Sequence, residues 1–325
     1  MRKATIYSIA EVCGVSPSTV SRAFSRPELI SEPVRERIYA VAEAVDYRPN
    51  QLARGLTTGR TATIGVQVAD VTNPYFPPLI SAVGRAADDR DLAVLLTDVG
   101  GRSGRDLLLN LSDRVDGVIV VSPRASDDDL LSAAQRLPAV VVNRPVGGMT
   151  SIVCDNTEAL QEATQHLVEL GHTELAYLRG PGESWASNAR GAAIEAQATH
   201  SKVNLIDLGP FAASFEGGRN AARAAVETTA TAYLFFDDVM AWGGLAELGS
   251  MGVQVPRDRS VVGCDDVLLS AMMAPPLTTV AAPFEEIGRL AVDALAELID
   301  DRGQQPEAMT AAGRFVVRES TGPPN

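Results

Sequence analysis

The sequence predicts an α/β protein: a three-helix head, a short hinge helix, and a body built on two parallel sheets. Three short apolar stripes at helical spacing, each preceded by a capping residue, occupy the first fifty residues. From residue 62 onward, apolar strand-like runs alternate with helical periods, the pattern of βαβ units. That alternation continues through eight strand-like runs, which favours two sheets over one.

The head opens at Thr5, a candidate N-cap, followed by Ile6, Ile9, Ala10 and Cys13 on one face of a short helix that Gly14 stops. A second helix starts at once, with Ser16 as N-cap and Pro17 in the first helical position, where its missing N–H costs nothing. Val20, Ala23 and Phe24 share its inward face. Ser18 lies about 200° from Val20 at 100° per residue, with Ser21 and Arg22 beside it. Two helices on a tight Gly-containing turn, the second presenting hydroxyls and an Arg, form a helix-turn-helix unit whose second helix can enter a major groove. A third helix is expected from Ser31, its cap, through Pro33, Val34, Ile38, Val41 and Val45 to an end near Tyr47. Pro49 then breaks the chain, and residues 50–56 can form at most two helical turns, too few to be stable alone. A minor-groove wedge and a plain linker helix packing its leucines on its own protein both fit that segment.

The body strands are expected at 62–70, 92–99, 116–123, 139–145, 174–180, 204–209, 232–238 and 260–266. Ligands in such sheets bind beyond the carboxyl ends of the strands. The polar residues there are Asp70, Asn73, Asp98, Ser122, Asn143, Arg144, Asp207, Asp237, Asp238, Asp265 and Asp266, and the adjoining loops carry Tyr75, Phe76, Trp185, Phe211 and Phe284. Carboxylates that accept from hydroxyls, an Arg that donates and flat rings for apolar faces suit a small polyhydroxylated ligand. Taken singly, each Asp also reads as a helix cap.

Composition narrows the function classes. The chain has 325 residues, 46% hydrophobic and 21% charged, and no apolar run approaches the roughly 18 residues of a membrane span, so no membrane role is expected. Ser8 and Glu11 interrupt what would be the core of a signal peptide, which predicts a cytoplasmic protein. Cys13, Cys154 and Cys264 are far apart with no CxxC, so neither disulfide nor zinc is expected, and no cofactor is implied. The net charge is −13, but residues 1–60 carry nine Lys/Arg against six Asp/Glu, a basic head on an acidic body that suggests attraction to phosphate. Enzyme chemistry has little to stand on. The three histidines (His166, His172, His200) form no cluster, with His172 at a helix end, and no GxSxG, P-loop or metal-ligand group is present.

"TIYSIAEVCGVSPSTVSRAF", "ISEPVRERIYAVAEAVDYRPNQLARGL" and "TIGVQVADVTNPYF" together resemble the N-terminal half of the LacI/GalR (lactose-repressor) family of bacterial transcription regulators, without a gap through Leu56. "VVNRPV", "VCDNTEAL", "SNARGAA", "FFDDVMAWG", "VPRDRSVVGCDD" and "PPLTTVAAPFEEIGRLA" extend the resemblance to about residue 320. It implies a two-lobed, periplasmic-binding-protein-like body and a cytoplasmic repressor that binds a double-stranded, inverted-repeat DNA operator as a homodimer. It implies phosphate and sugar contacts by Ser16, Thr19 and Ser21, with Thr5 also at the DNA. Base reading falls to Pro17, Ser18 and Arg22, and minor-groove insertion to Leu56 with Asn50 and Ala53 beside it. Effector contacts carried over position by position are Asn73, Phe76, Asn143, Arg190, Asp237 and Asp265, with Trp185 and Phe211 as aromatic neighbours. Asp237 stands where many members have Asn, Ala193 where Gly is usual, and the stretch after "EAQATHS" is short, which leaves the effector's identity open between a sugar and a nucleoside.

The expected domains are 1–48 (helix-turn-helix), 49–60 (hinge) and 61–325 (effector binding and dimerisation). Within the body, lobe 1 is expected to span about 61–156 plus 283–305 and lobe 2 about 157–282 plus 306–325. Lobe closure around an effector would change the spacing of two hinges in a dimer, and a coupling of about 1–3 kcal/mol changes operator affinity roughly 5- to 150-fold. The terminal "ESTGPPN" has no heptad extension, so a dimer is expected over a helix-tethered tetramer. Two other classes compete: a transport-type sugar receptor, set apart by the basic head, and a carbohydrate-modifying enzyme, which turnover would expose.

Overall fold

The computed structural model describes residues 4–47, 60–100, 104–300 and 308–325, and the chain divides into two compact units, Met1–Thr63 and Ile64–Asn325. The expected hinge positions Asn50, Ala53 and Leu56 lie outside the described residues.

The first unit holds α1 (Ile6–Cys13), α2 (Pro17–Ser25) and α3 (Glu32–Ala44) around a small core of Ile9, Ala10, Cys13, Val20, Ala23, Ile38 and Ala42. Thr5 and Ser8 close a capping box at α1, and Gly14 ends that helix at φ +62°, a backbone that favours glycine. Phe24 reaches Tyr39 and Tyr47, at ring centroid distances of 5.2 and 6.0 Å, and the Tyr39 hydroxyl donates to the Ala23 carbonyl at 2.7 Å. Two expectations fail at α3. Ser31 occupies the N-cap position without making a side-chain cap bond, and Val45 is exposed because the helix ends at Ala44, so Ala42 takes the core place.

In the second unit, β1 (Thr63–Val68), whose first residue closes the head unit, leads into a six-stranded sheet ordered β11-β5-β4-β3-β1-β2. Its other strands are β2 (Ala93–Asp98), β3 (Gly117–Val121), β4 (Ala139–Val142), β5 (Thr150–Asp155) and β11 (Ala308–Ala312). β1, β3, β4, β5 and β11 pair in parallel. Alternate residues point to opposite faces of a strand. Ile64, Val66, Ile119, Val140 and Val142 therefore pack under α4 (Phe76–Asp88) and α11 (Phe284–Asp300), while Val118, Val120 and Val141 pack under α5 (Gly104–Leu111) and α6 (Asp127–Ala134).

A second parallel sheet has the order β7-β6-β8-β9, from β6 (Glu174–Leu178), β7 (Asn204–Leu208), β8 (Ala232–Phe235) and β9 (Ser260–Val262). α7 (Thr157–Glu169) and α8 (Trp185–Ser201) cover one face, α9 (Phe215–Val226) and α10 (Asp238–Ser250) the other. A small antiparallel ladder joins β10 (Thr279–Ala281) to β12 (Arg314–Val316).

The lobe boundaries need one correction. Residues 308–312, expected in lobe 2, form β11 and pair with β5 in the first sheet; the chain crosses at Gly313, whose N–H donates to the Asp155 carbonyl at 2.9 Å. The composition "AMTAA" gives no apolar signal, and main-chain pairing places the strand. β5, β10, β11 and β12 lie outside the strands expected from the sequence. The strands read at 139–145, 232–238 and 260–266 end at Val142, Phe235 and Val262.

Candidate functional site

In the head, the exposed side of α2 carries Ser18, Ser21 and Arg22, as its period requires. Ser16 Oγ accepts from the Thr19 backbone N–H (3.1 Å) and lies within hydrogen-bond distance of Ser18 Oγ (2.7 Å) and Thr19 Oγ1 (2.8 Å). Three hydroxyls thus gather at a helix N-terminus, an arrangement suited to phosphate. Arg22 has no ion-pair partner among the described residues, so its guanidinium is open to an external acceptor. Thr5 is engaged in the α1 capping box. Tyr7, overlooked in the sequence, is 73% exposed on α1; its position off the Ile6/Ile9/Ala10/Cys13 stripe is the signal that finds it.

In the body, the loops after β1, β3, β4, β6, β8 and β9 converge on one cleft of about 190 Å³, smaller than the roughly 300–1,000 Å³ of drug-sized sites. Asn73, Phe76, Asn143, Trp185, Arg190, Asp237 and Asp265 all line it. Phe211 does not: its ring packs on the second-lobe core with its N–H on the Arg179 carbonyl. Asp70 lines the cleft too, whereas the other strand-end acids turn elsewhere. Asp207 takes Arg179 (2.6 Å), Asp266 takes Arg318 (2.6 Å), and Asp238 is buried under Ser270 Oγ, Thr279 Oγ1 and the Val267 N–H. Asp98 accepts from the Gly100 N–H, Arg144 pairs with Asp127, and Phe284 meets Tyr75 edge-on at 5.2 Å.

At the floor, α8 delivers Arg190, 9% exposed, to Asp265 (Nη2 to Oδ1, 2.9 Å) and to the Phe236 carbonyl, with its guanidinium 4.7 Å from the Phe236 ring centroid. Asp237 caps α10, one oxygen accepting from the Met240 N–H at 2.8 Å. Burial pushes the Asp237 carboxyl up to about 6 and raises that of Asp265, with Arg190 opposing both. On the opposite wall Asn143 Nδ2 donates to the Tyr75 hydroxyl (2.7 Å) and Ser122 Oγ (3.0 Å), leaving its buried Oδ1 without a partner among the described residues. Ser122 (φ +49°), Asn143 (φ +68°) and Asp265 (φ +120°) all hold left-handed backbone, which costs about 1–3 kcal/mol each and concentrates where a site demands it.

Residues not singled out in the sequence also line the cleft: Arg124, Cys154, Asn156 and Phe236. Phe236 falls within the strand expected at 232–238 but lies just past its observed end at Phe235, and its place beside Arg190 has no local signature. The Cys154 thiol is pushed up to about 12 by burial, so it is no nucleophile. Among the described residues no group of three His, Cys, Asp or Glu could hold a metal, and no helix is long and apolar enough to cross a membrane.

This geometry unites a helix-turn-helix head with a polar, ring-walled cleft between two parallel-sheet lobes. Residues 5–50 match the family model of bacterial regulatory proteins of the lacI family, and residues 164–321 match a periplasmic binding protein-like domain. The chain is 31% identical over 330 residues to the ribose operon repressor of Escherichia coli K12, covering 98% of this chain and 99% of that one. Among solved structures it is similar to the Lac repressor dimer bound to operator and the anti-inducer ONPF, at TM-score 0.86 and 27% identity, covering 99% of this chain and 100% of that one. It is also similar to a LacI family transcriptional regulator from Enterococcus faecium with bound ribose, at TM-score 0.74 and 26% identity, covering 81% and 100%. These relatives are transcription regulators. The head and the body are thus each accounted for, and the chain belongs to the LacI family of bacterial regulatory proteins.

Proposed function

We propose that this chain is a repressor that binds an inverted-repeat operator as a homodimer and is switched by a small polyhydroxylated effector, a sugar or close relative, held in the body cleft. The carrying observation is the Arg190–Asp265 pair on the floor of a cleft walled by Tyr75, Phe76, Trp185 and Phe236, offering donors, acceptors and apolar rings together. Likeness to a ribose operon repressor, to a ribose-bound regulator and to an operator-bound dimer supports it. In this reading residues 1–48 bind DNA, 49–60 form the hinge and 61–325 bind effector and partner. On α2, Pro17, Ser18 and Arg22 read bases, while Ser16, Thr19 and Ser21, with Thr5 and the exposed Tyr7 of α1, hold the backbone. Asn50, Ala53 and Leu56 enter the minor groove. Asn73, Phe76, Asn143, Trp185, Arg190, Asp237 and Asp265 contact the effector.

A thermal-shift screen of sugars, sugar phosphates and nucleosides tests the reading, because a ligand at 100 times its Kd stabilises by about 2.7 kcal/mol. A hit is expected to lose its shift in both Arg190→Ala and Asp265→Ala. A hit indifferent to both substitutions would place the site elsewhere. The rings also suit a nucleobase, and a nucleoside as the sole hit would select that second reading.

A further inference from the structure

The buried charges of the cleft do not balance. Arg190 is the one buried cation among the described lining residues, and its hydrogen bonds go to Asp265 and the Phe236 carbonyl. Asp237, 3% exposed, lines the same cleft, and the one side-chain hydrogen bond it accepts among the described residues is from a neutral donor, the Met240 N–H. Its neighbour Asp238 is a further buried carboxylate and adds to the negative potential. At the rim Asp70, Asp155 and Glu183 outnumber Arg124, since Arg144 is paired with Asp127. A desolvated carboxylate is costly unless a cation or a proton answers it.

We infer that the effector carries a protonated amine beside its hydroxyl groups, as an amino sugar or amino polyol does, with the ammonium seated against Asp237. This rests on the polyol reading above and narrows it. A phosphate or carboxylate on the ligand would face Asp237 and three rim acids, with Arg124 the one described lining cation not already paired with an acid. A metal ion would need a ligand group that the described residues do not form. A neutral hydroxyl could donate to Asp237 but would leave its charge uncompensated.

Calorimetric titration of the full chain near pH 7 with matched pairs tests this: glucosamine and glucose, galactosamine and galactose, mannosamine and mannose, with glucose 6-phosphate, ribose and adenosine alongside. In at least one pair the amine is expected to bind at least about 10-fold tighter than its parent. Asp237→Asn should cut that preference to about twofold while the unliganded melting temperature rises, because Asn caps a helix about as well as Asp and removes the uncompensated buried charge. If hexoses, ribose or the phosphate bind and no amine is preferred, or the preference survives Asp237→Asn, the inference fails and the polyol reading stands. Binding by adenosine alone overturns the inference in favour of the nucleoside reading. Silence from the whole panel overturns both.

Discussion

Replacing Arg190 by Met removes the buried cation while keeping a polarizable side chain over the Phe236 ring, so the loss is electrostatic rather than steric. The variant strands Asp265 at 5% exposure, and breaking such a pair typically costs about 3–5 kcal/mol. Protonation sets a ceiling on that cost. Protonating a carboxyl of ordinary pKa 3.9 takes about 4 kcal/mol at pH 7 and about 1.5 kcal/mol near pH 5. A group whose folded pKa is raised binds more protons folded than unfolded, so its contribution falls as pH rises above the unfolded value. Because burial raises the Asp265 carboxyl in the parent as well, the stability deficit of Arg190→Met should be at most about 3–4 kcal/mol near pH 7 and should shrink by less than about 2.5 kcal/mol near pH 5. Both tryptophans, Trp185 and Trp242, lie in the second sheet's lobe, so urea unfolding followed by their fluorescence reads this lobe and not the head. The double variant Arg190→Met/Asp265→Leu should recover most of the loss, since neither charge is left buried alone. A deficit equal at both pH values, or a double variant no better than the single, would refute an isolated buried ion pair.

Arg22→Ala should weaken the specific operator by about 1–3 kcal/mol and random DNA much less, because Arg22 is exposed on α2 with no ion pair among the described residues to lose; equal losses in a gel-shift titration would make it a phosphate contact only. His172→Ala should destabilise the body by about 1–3 kcal/mol, since His172 holds Thr231 Oγ1 (2.7 Å), Ser260 Oγ (3.0 Å) and the Gly322 carbonyl (2.9 Å) and so pins the C-terminal segment. An unchanged urea midpoint would remove that role.

What the sequence determined by itself was local or periodic. The stripe Ile9, Ala10, Cys13 with its Thr5 cap and Gly14 stop defines α1, because caps and left-handed stops act within four residues. Ser16, Pro17 and the 100° step place Val20 and Ala23 inside and Ser18 and Arg22 outside. The apolar strand runs and their carboxyl ends point to the cleft, and seven of the eight residues expected to contact an effector line it. Only the tertiary structure decided what depends on contact across the chain. Asp237 and Asp238 are adjacent and chemically identical, yet packing turns one into the cleft and the other onto Ser270 and Thr279. Phe211 packs on the core although its loop position suggested the ligand. β11, β10 and β12 are three to five residues long, and long-range main-chain pairing, which leaves no trace in hydropathy, holds them in place. Arg190 meets Asp265 and Phe236 across 75 and 46 positions, a distance in sequence that no pattern of residues spans, and only folding brings the counter-charge to it.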